Sequence, residues 1–388
     1  MKPLKENQKE IEELLEEIGV ESIDNPIYVS PTTICYHDKN KNLIFKIRKI
    51  PITGGISKST GRPLYDVRAE ASEPDLIFKL RLKKFEHVPK IVEFDHKSRS
   101  SYKIMDENGM PVAIQVHGEE YIPISFQDRL KSEGSAKDIL IRVADTSLAL
   151  SRAITSIFNE QSDERFTGYS SSWYEESLNQ LEHTLKQQFG DEILLPKETL
   201  FEFLKLPLDS PKTVSHLNLS YAHVRFREKN KNEILQEEEL VERLKSNEPN
   251  LYPDIVIIDH TQYGIARPIS GLCFLTDAEI VDNFSEEDIS SVIEKIVMRQ
   301  SSALKGVWKV HPSAASIEHL KKRLYAGVAF NLLRCICYYV QSNNREKILS
   351  RIEKFLKFQE IVLSGEEHFK KNIKKLEDSL KIIQEKCK

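Results

Sequence analysis

The sequence predicts an α+β chain in two lobes: a β-rich N-terminal third, then a mostly helical remainder with a small β-hairpin inside it. Three observations carry that reading. Short runs of β-branched and aromatic residues recur between residues 27 and 116. Long stretches with apolar residues at helical spacing dominate after residue 126. Only the segment 213–275 interrupts those helices with strand-like pieces, and the boundary between the two parts falls near residue 123.

The elements follow in order. Residues 5–18 place Ile11, Leu14, Leu15 and Ile18 on one helical face, and Gly19 suits the stop. Residues 1–25 are therefore read as a helical extension. Strands are expected at Ile27-Tyr28-Val29, Ile34-Cys35-Tyr36 and Leu43-Ile44-Phe45-Lys46-Ile47, with Asp38 to Asn42 as the turn between the last two. Residues 51–65, with Gly54, Gly55 and Gly61, read as a loop. They lack the spacing of a phosphate-binding G-x-x-x-x-G-K-[ST] motif. A helix from about Ser72 sets Leu76, Ile77 and Leu80 along one face. Strands return at 90–94, 101–105 and 112–116, the last two joined by a turn at Glu107-Asn108-Gly109. The first lobe thus spans 26–122 and the second 123–388.

In the second part the apolar pattern predicts helices at 136–158, 173–188, 197–204, 286–300 and 315–341. Residues 345–384 read as one long amphipathic helix or a pair, packed on the large lobe or used for self-association. Residues 228–252 are highly charged and read as a solvated insertion.

Composition narrows the function classes. The chain has 388 residues, 40% hydrophobic and 30% charged, which suits a globular protein with a full core. A net charge of −4 gives no general basic field, so no nucleic-acid partner is implied. Five cysteines without a C-x-x-C pair argue against a disulfide framework or structural zinc. The Lys- and Glu-dense start is neither a signal peptide nor a membrane anchor, and no apolar run reaches the length of a membrane span. The expected location is the cytoplasm.

The chemistry-bearing residues are best read against phosphoryl transfer, which asks a protein to clamp phosphates, place a metal and orient a nucleophile. Lys46 is a lone cation on an apolar strand, placed to neutralise phosphates or, alternatively, simply to face solvent. Glu73 shares the inward face of the next helix and is positioned to hold that lysine, with Glu70 as its competitor. Val214-Ser215-His216-Leu217-Asn218-Leu219-Ser220-Tyr221-Ala222-His223 has the layout of a catalytic loop, spanning 214–223. His216, Asn218 and His223 fall on that loop's polar positions, a spacing that core or surface histidines would also explain. Asp259 ends the apolar run Ile255-Val256-Ile257-Ile258, where a metal, a cap or a solvent-facing turn must satisfy its carboxylate. The turn Ser30-Pro31-Thr32-Thr33 has no glycine and Pro31 contributes no N–H; it reads either as an ordinary polar turn or as one whose Thr32 and Thr33 hydroxyls contact phosphate.

At these residues the chain resembles the aminoglycoside phosphotransferase and choline kinase group of the protein-kinase-like fold, over roughly residues 27–340. Glu73-Pro74-Asp75-Leu76-Ile77-Phe78-Lys79-Leu80 is similar to that group's Glu helix. His87-Val88-Pro89-Lys90-Ile91-Val92 is similar to the strand that follows it. Residues 255–268, from the strand through Asp259 to Arg267 and Pro268, are similar to its metal-binding segment. The resemblance implies that Lys46 contacts ATP, or another nucleoside triphosphate, and pairs with Glu73. It implies that Asp259 holds Mg²⁺ or Mn²⁺, and that the base meets a hinge near Val116–Tyr121 or, alternatively, Met105–Glu107. It also implies a small hydroxylated or aminated acceptor.

Two departures matter. Asn218 stands where the group has Asp, so general-base help of about 10²–10⁴-fold is lost, although an amide still positions a hydroxyl. His223 stands where a metal-binding Asn is expected, and imidazole favours Mn²⁺ over Mg²⁺. The expectations are therefore a phosphotransferase with an altered loop, a pseudokinase-like nucleotide-binding protein, or a kinase-fold nucleotidyl transferase.

Overall fold

The computed structural model describes residues 3–20, 25–52, 73–94, 99–132, 136–159, 171–204, 213–216, 219–228, 239, 242–243, 250–260, 263–266, 284–307, 317–363 and 367–387. Residues 53–65 of the expected loop, Glu70, Asn218 and most of the charged insertion lie outside the described residues.

A one-turn 3-10 helix, Leu4–Glu6, and helix α1, Gln8–Glu17, precede the first sheet. That sheet has five antiparallel strands: β1 Tyr28–Val29, β2 Thr33–Asp38, β3 Leu43–Pro51, β4 Ser101–Glu107 and β5 Met110–Glu120. Their spatial order is β1-β2-β3-β5-β4. Both expected tight turns form. Asp38 Oδ1 accepts the N–H groups of Asn40 and Lys41 between β2 and β3. Asn108 and Gly109, both at positive φ, close the β4–β5 hairpin as the primed turn that matches strand twist. The segment 90–94 forms isolated bridging contacts, Ile91 to Glu119 among them, in place of the expected full strand; Glu120 N–H donates to Lys90 C=O beside it.

Helix α2, Glu73–Leu82, packs Leu76, Ile77 and Leu80 inward. The chain leaves the five-stranded sheet at Glu120 and enters the second lobe through β6 Ile124–Ser125 and α3 Phe126–Ser132. The linker is therefore 121–123, at the end of the Val116–Tyr121 placement, whereas Met105–Glu107 lies within an edge strand.

Among the described residues, eleven further helices and strands build the second lobe around one large apolar core. The helices α4 Ala136–Asn159, α5 Ser171–Phe189 and α6 Lys197–Leu204 come first. Then β7 Thr213–His216, β8 Val224–Phe226, β9 Ile255–Ile257 and β10 Tyr263–Ala266 interrupt them as expected. β7 pairs with β10, while β6, β8 and β9 form a second small sheet. The chain closes with α7 Glu286–Val307, α8 Ile317–Gln341, α9 Arg345–Leu363 and α10 Glu367–Cys387. The C-terminal amphipathic stretch is thus a pair of helices, and Ile373, Leu376, Leu380 and Ile383 of α10 are buried in the main core. Among the described residues, no helix is long and apolar enough to cross a membrane. The architecture is the bilobal α+β kinase-like fold.

Candidate functional site

The central strands β3 and β5 of the five-stranded sheet are buried on both faces, and the two faces differ in kind. Ile34, Tyr36, Phe45, Ile47, Ile114 and Val116 pack against Leu4, Ile11, Leu14 and Leu15 of the N-terminal extension. Because side chains alternate along a strand, the intervening residues point the other way. The register sets Cys35 opposite Lys46, Thr33 opposite Arg48, and those two cations opposite His117 and Gln115. Lys46, Arg48, His117 and Glu119 thereby share one buried polar face.

Glu73 closes that face. Its side chain is fully buried, so it needs partners. Lys46 Nζ lies 3.4 Å from Glu73 Oε1 and 2.7 Å from Glu119 Oε1. Arg48 Nη1 donates to Glu73 Oε2. The backbone N–H of His260 donates to Glu73 Oε1 at 2.6 Å. His117 Nε2 stands 3.5 Å from Glu73 Oε2 and 3.8 Å from Glu119 Oε2. Burial opposes ionisation of Glu73, but Arg48 and Lys46 outweigh it and hold the carboxyl well below its ordinary range. Burial likewise works against the Lys46 ammonium, and Glu119 and Glu73 overcome it, so Lys46 is held charged. Glu73 is thus a partner of Lys46, while Glu70 lies outside the described residues.

The second lobe contributes Asp259. It follows β9 in a left-handed conformation, φ +60°, which a short polar side chain tolerates better than most. That turn aims the carboxylate back at the sheet. Arg48 Nη2 donates to Asp259 Oδ1 at 3.0 Å, while His223 Nε2 lies 3.2 Å from Asp259 Oδ2. His223 ends a one-turn 3-10 helix, Tyr221–His223, and its C=O accepts the N–H of Ile258. The candidate loop and the segment that follows β9 are therefore stitched together beside the cation-bearing sheet. Asp259 remains about one-third accessible. His260, buried behind it, directs Nε2 to Ile257 C=O, and burial lowers its pKa.

The position of β9 is itself fixed from the first lobe. His87 is buried, with Nδ1 2.9 Å from Ile255 C=O and Nε2 accepting the Leu251 N–H at 3.1 Å. The Ile257 N–H donates to the His87 C=O. These contacts define a neutral ring protonated on Nδ1, and burial lowers its pKa to about 4.

The remaining expected site residues fall as follows. Thr33 lies opposite Arg48 on β2, and its N–H and C=O both engage Ser30 Oγ. The Thr32 C=O accepts the Lys49 N–H. Val116 is wholly buried on the face that packs against the N-terminal extension, so its side chain points away from Lys46. His216 ends β7, opposite Tyr263 of β10. The sequence reading missed Arg48, His117 and Glu119. Their signal was positional: each lies an even number of residues from Lys46 or its register partner.

A divalent ion is the group the fold implies here. Asp259 supplies the hard oxygen donors such an ion prefers and is reachable from solvent. Among the described residues no group of three or more His, Cys, Asp or Glu side chains is placed to hold a metal. In this arrangement one Asp259 oxygen already accepts a full guanidinium charge. The donor fits a metal; the neighbouring cation must yield for one to enter.

No family model matches the chain, and no curated protein matches its sequence. Solved structures do. A microcompartment-associated aminopropanol kinase aligns with TM-score 0.52 and 13% identity, covering 93% of this chain and 98% of that one. An amicoumacin kinase in complex with AMP-PNP and Ca²⁺ aligns with TM-score 0.49 and 13% identity, over 98% and 96%. An aminoglycoside phosphotransferase from Alicyclobacillus acidocaldarius aligns with TM-score 0.43 and 9% identity, over 97% and 96%.

Proposed function

The fold shared with the aminopropanol kinase structure is the premise from which the site is read, and we propose that this protein is a phosphotransferase using ATP or a related nucleoside triphosphate, with a small hydroxylated or aminated molecule as acceptor. One observation carries the reading. Arg48 joins Glu73 of the first lobe to Asp259 of the second, so the strand cations, the helix carboxylate and the strand-ending aspartate form one ionic cluster. Chain segments as distant as residues 48 and 259 are brought together for polar contact, at the desolvation cost that a buried charge entails.

In this reading Lys46 and Arg48 bind the inner phosphates, with Thr33 alongside Arg48 on the neighbouring strand. Glu73 fixes both cations. Asp259, with His223 beside it, is the candidate ligand for Mg²⁺ or Mn²⁺, which would neutralise phosphate charge when bound. Asn218 orients the acceptor hydroxyl or amine without taking its proton. A loose transfer, in which the nucleophile forms little bond early, tolerates that loss.

ADP release is the direct test, measured over a panel of amino alcohols and aminoglycosides with Mg²⁺ or Mn²⁺. Asn218→Asp restores a carboxylate and is expected to raise turnover by about 10²-fold or more. The second reading is nucleotide binding without transfer. The engagement of both Asp259 oxygens by Arg48 and His223 favours it. ATP binding with no ADP release from either the native or the Asn218→Asp protein would select that reading.

A further inference from the structure

Arg48 does more than the proposed chemistry requires of a phosphate-binding strand cation. One Nη donates to Glu73 and the other to Asp259, so a single guanidinium spans the helix carboxylate and the candidate metal ligand. A lysine ammonium is a point charge with no such fork. The guanidinium is also held in place, being buried at 3% exposure.

Charge decides what this contact does. Lys46 and Arg48 face Glu73, Glu119 and Asp259, leaving one formal negative charge in excess when the histidines are counted neutral. A triphosphate entering alone would meet that excess. A divalent ion entering alone would meet the Arg48 guanidinium at the oxygen it needs. When both enter, each removes the other's obstacle: the phosphates draw Arg48 away from Asp259, and the freed carboxylate takes the ion. Lys46 remains with Glu119 and Glu73 throughout, so the cluster need not open for the exchange.

We propose that Arg48 makes metal binding at Asp259 conditional on nucleotide, acting as a resident cation that only phosphate displaces. This rests on the nucleotide reading above and adds a specificity role for one residue of that site. No bond is made or broken in the exchange; one ion pair is replaced by two others.

Uptake of Mn²⁺, followed by loss of the free-ion signal in electron paramagnetic resonance, tests it without any turnover. Native protein without nucleotide should take up no Mn²⁺ at micromolar concentrations. With AMP-PNP present it should take up more than AMP-PNP alone accounts for. Arg48→Gln should create nucleotide-independent uptake at least about tenfold tighter than in native protein, within the range of ordinary coupling between sites. Adding Asp259→Asn to that variant should remove the gain. If Arg48→Gln does not fold, Arg48→Lys retains the charge beside Glu73 while lacking the fork, and it should show the same gain. Native protein that binds Mn²⁺ equally well with and without AMP-PNP overturns the proposal. In that case stabilisation by AMP-PNP plus Mn²⁺ would leave the nucleotide reading standing. No stabilisation by AMP-PNP, with or without Mn²⁺, removes both. If neither Arg48 variant folds, the native arm alone decides between these outcomes.

Discussion

On the central strands β3 and β5 both faces of the sheet are hidden from water, yet they are held by different forces. One is mainly apolar, packing Phe45, Ile47 and Val116 against Leu4, Ile11, Leu14 and Leu15, although Lys49 on the same face pairs with Asn7 and Glu107. The other packs Lys46, Arg48, His117 and Glu119 against Glu73 and Asp259. Apolar burial is non-directional and tolerates small shifts. A buried ionic cluster is worth little net stability when complete and costs heavily when one partner is lost. The same strand therefore carries a face that stabilises the lobe and a face that fixes charges in position.

Glu73→Gln should separate them most sharply. It keeps the shape of the side chain but leaves two buried cations short of a carboxylate. A loss of about 3–5 kcal/mol in denaturant unfolding is expected, together with loss of nucleotide-dependent stabilisation. On the apolar face, Leu14→Ala should cost about 2–5 kcal/mol through lost burial and a residual cavity. The folded fraction should still bind AMP-PNP with its native affinity. A collapse of nucleotide binding in Leu14→Ala would mean that the two faces are not separable.

The strand behind the polar face supplies a pH test. The His87 pKa lies near 4 in the folded protein against an ordinary 6.5, because burial disfavours its charged form. The unfolded chain therefore binds the proton first. Its contribution is fully present above about pH 6.5 and is lost as pH falls toward 4, by about 3 kcal/mol in total. Denaturant unfolding between those limits measures it, and a His87→Gln protein should show a shallower acid dependence.

The smallest effect concerns what assigns residues to faces at all. A one-residue slip between strands would exchange them. Asn108-Gly109 pins the β4–β5 register, and Gly109 sits at φ +81° with open space where a Cβ would be. Gly109→Ala should therefore cost about 1–2 kcal/mol from backbone conformation alone, without altering nucleotide binding.

Much of this was legible in the sequence. The tight turns, the Glu helix and the strand ending in Asp259 were marked by local chemistry: Asn-Gly, apolar spacing, and a carboxylate after four aliphatic residues. The alternation of Phe45 and Ile47 with Lys46 and Arg48 was equally visible. A strand with cations on alternate positions ordinarily has one wet face, and here burial covers seven consecutive residues, Ile44 to Ile50. What hides the polar face is Glu73 and Asp259, which lie 27 and 213 residues from Lys46. No local pattern reports such a contact. The same limit explains Arg48 and Glu119, each recognisable only once β3 is paired with β5. It also explains Val116, whose place near the linker was legible but whose facing depended on that same register.

The most direct test of the account is calorimetric titration of the native protein with AMP-PNP and Mn²⁺, alongside Lys46→Met and Asp259→Asn. The account predicts saturable binding at a single site in the native protein, weakened at least about tenfold by either substitution, since each removes one side of the same cluster. Equal binding in all three proteins, or heat of binding in none, would contradict it.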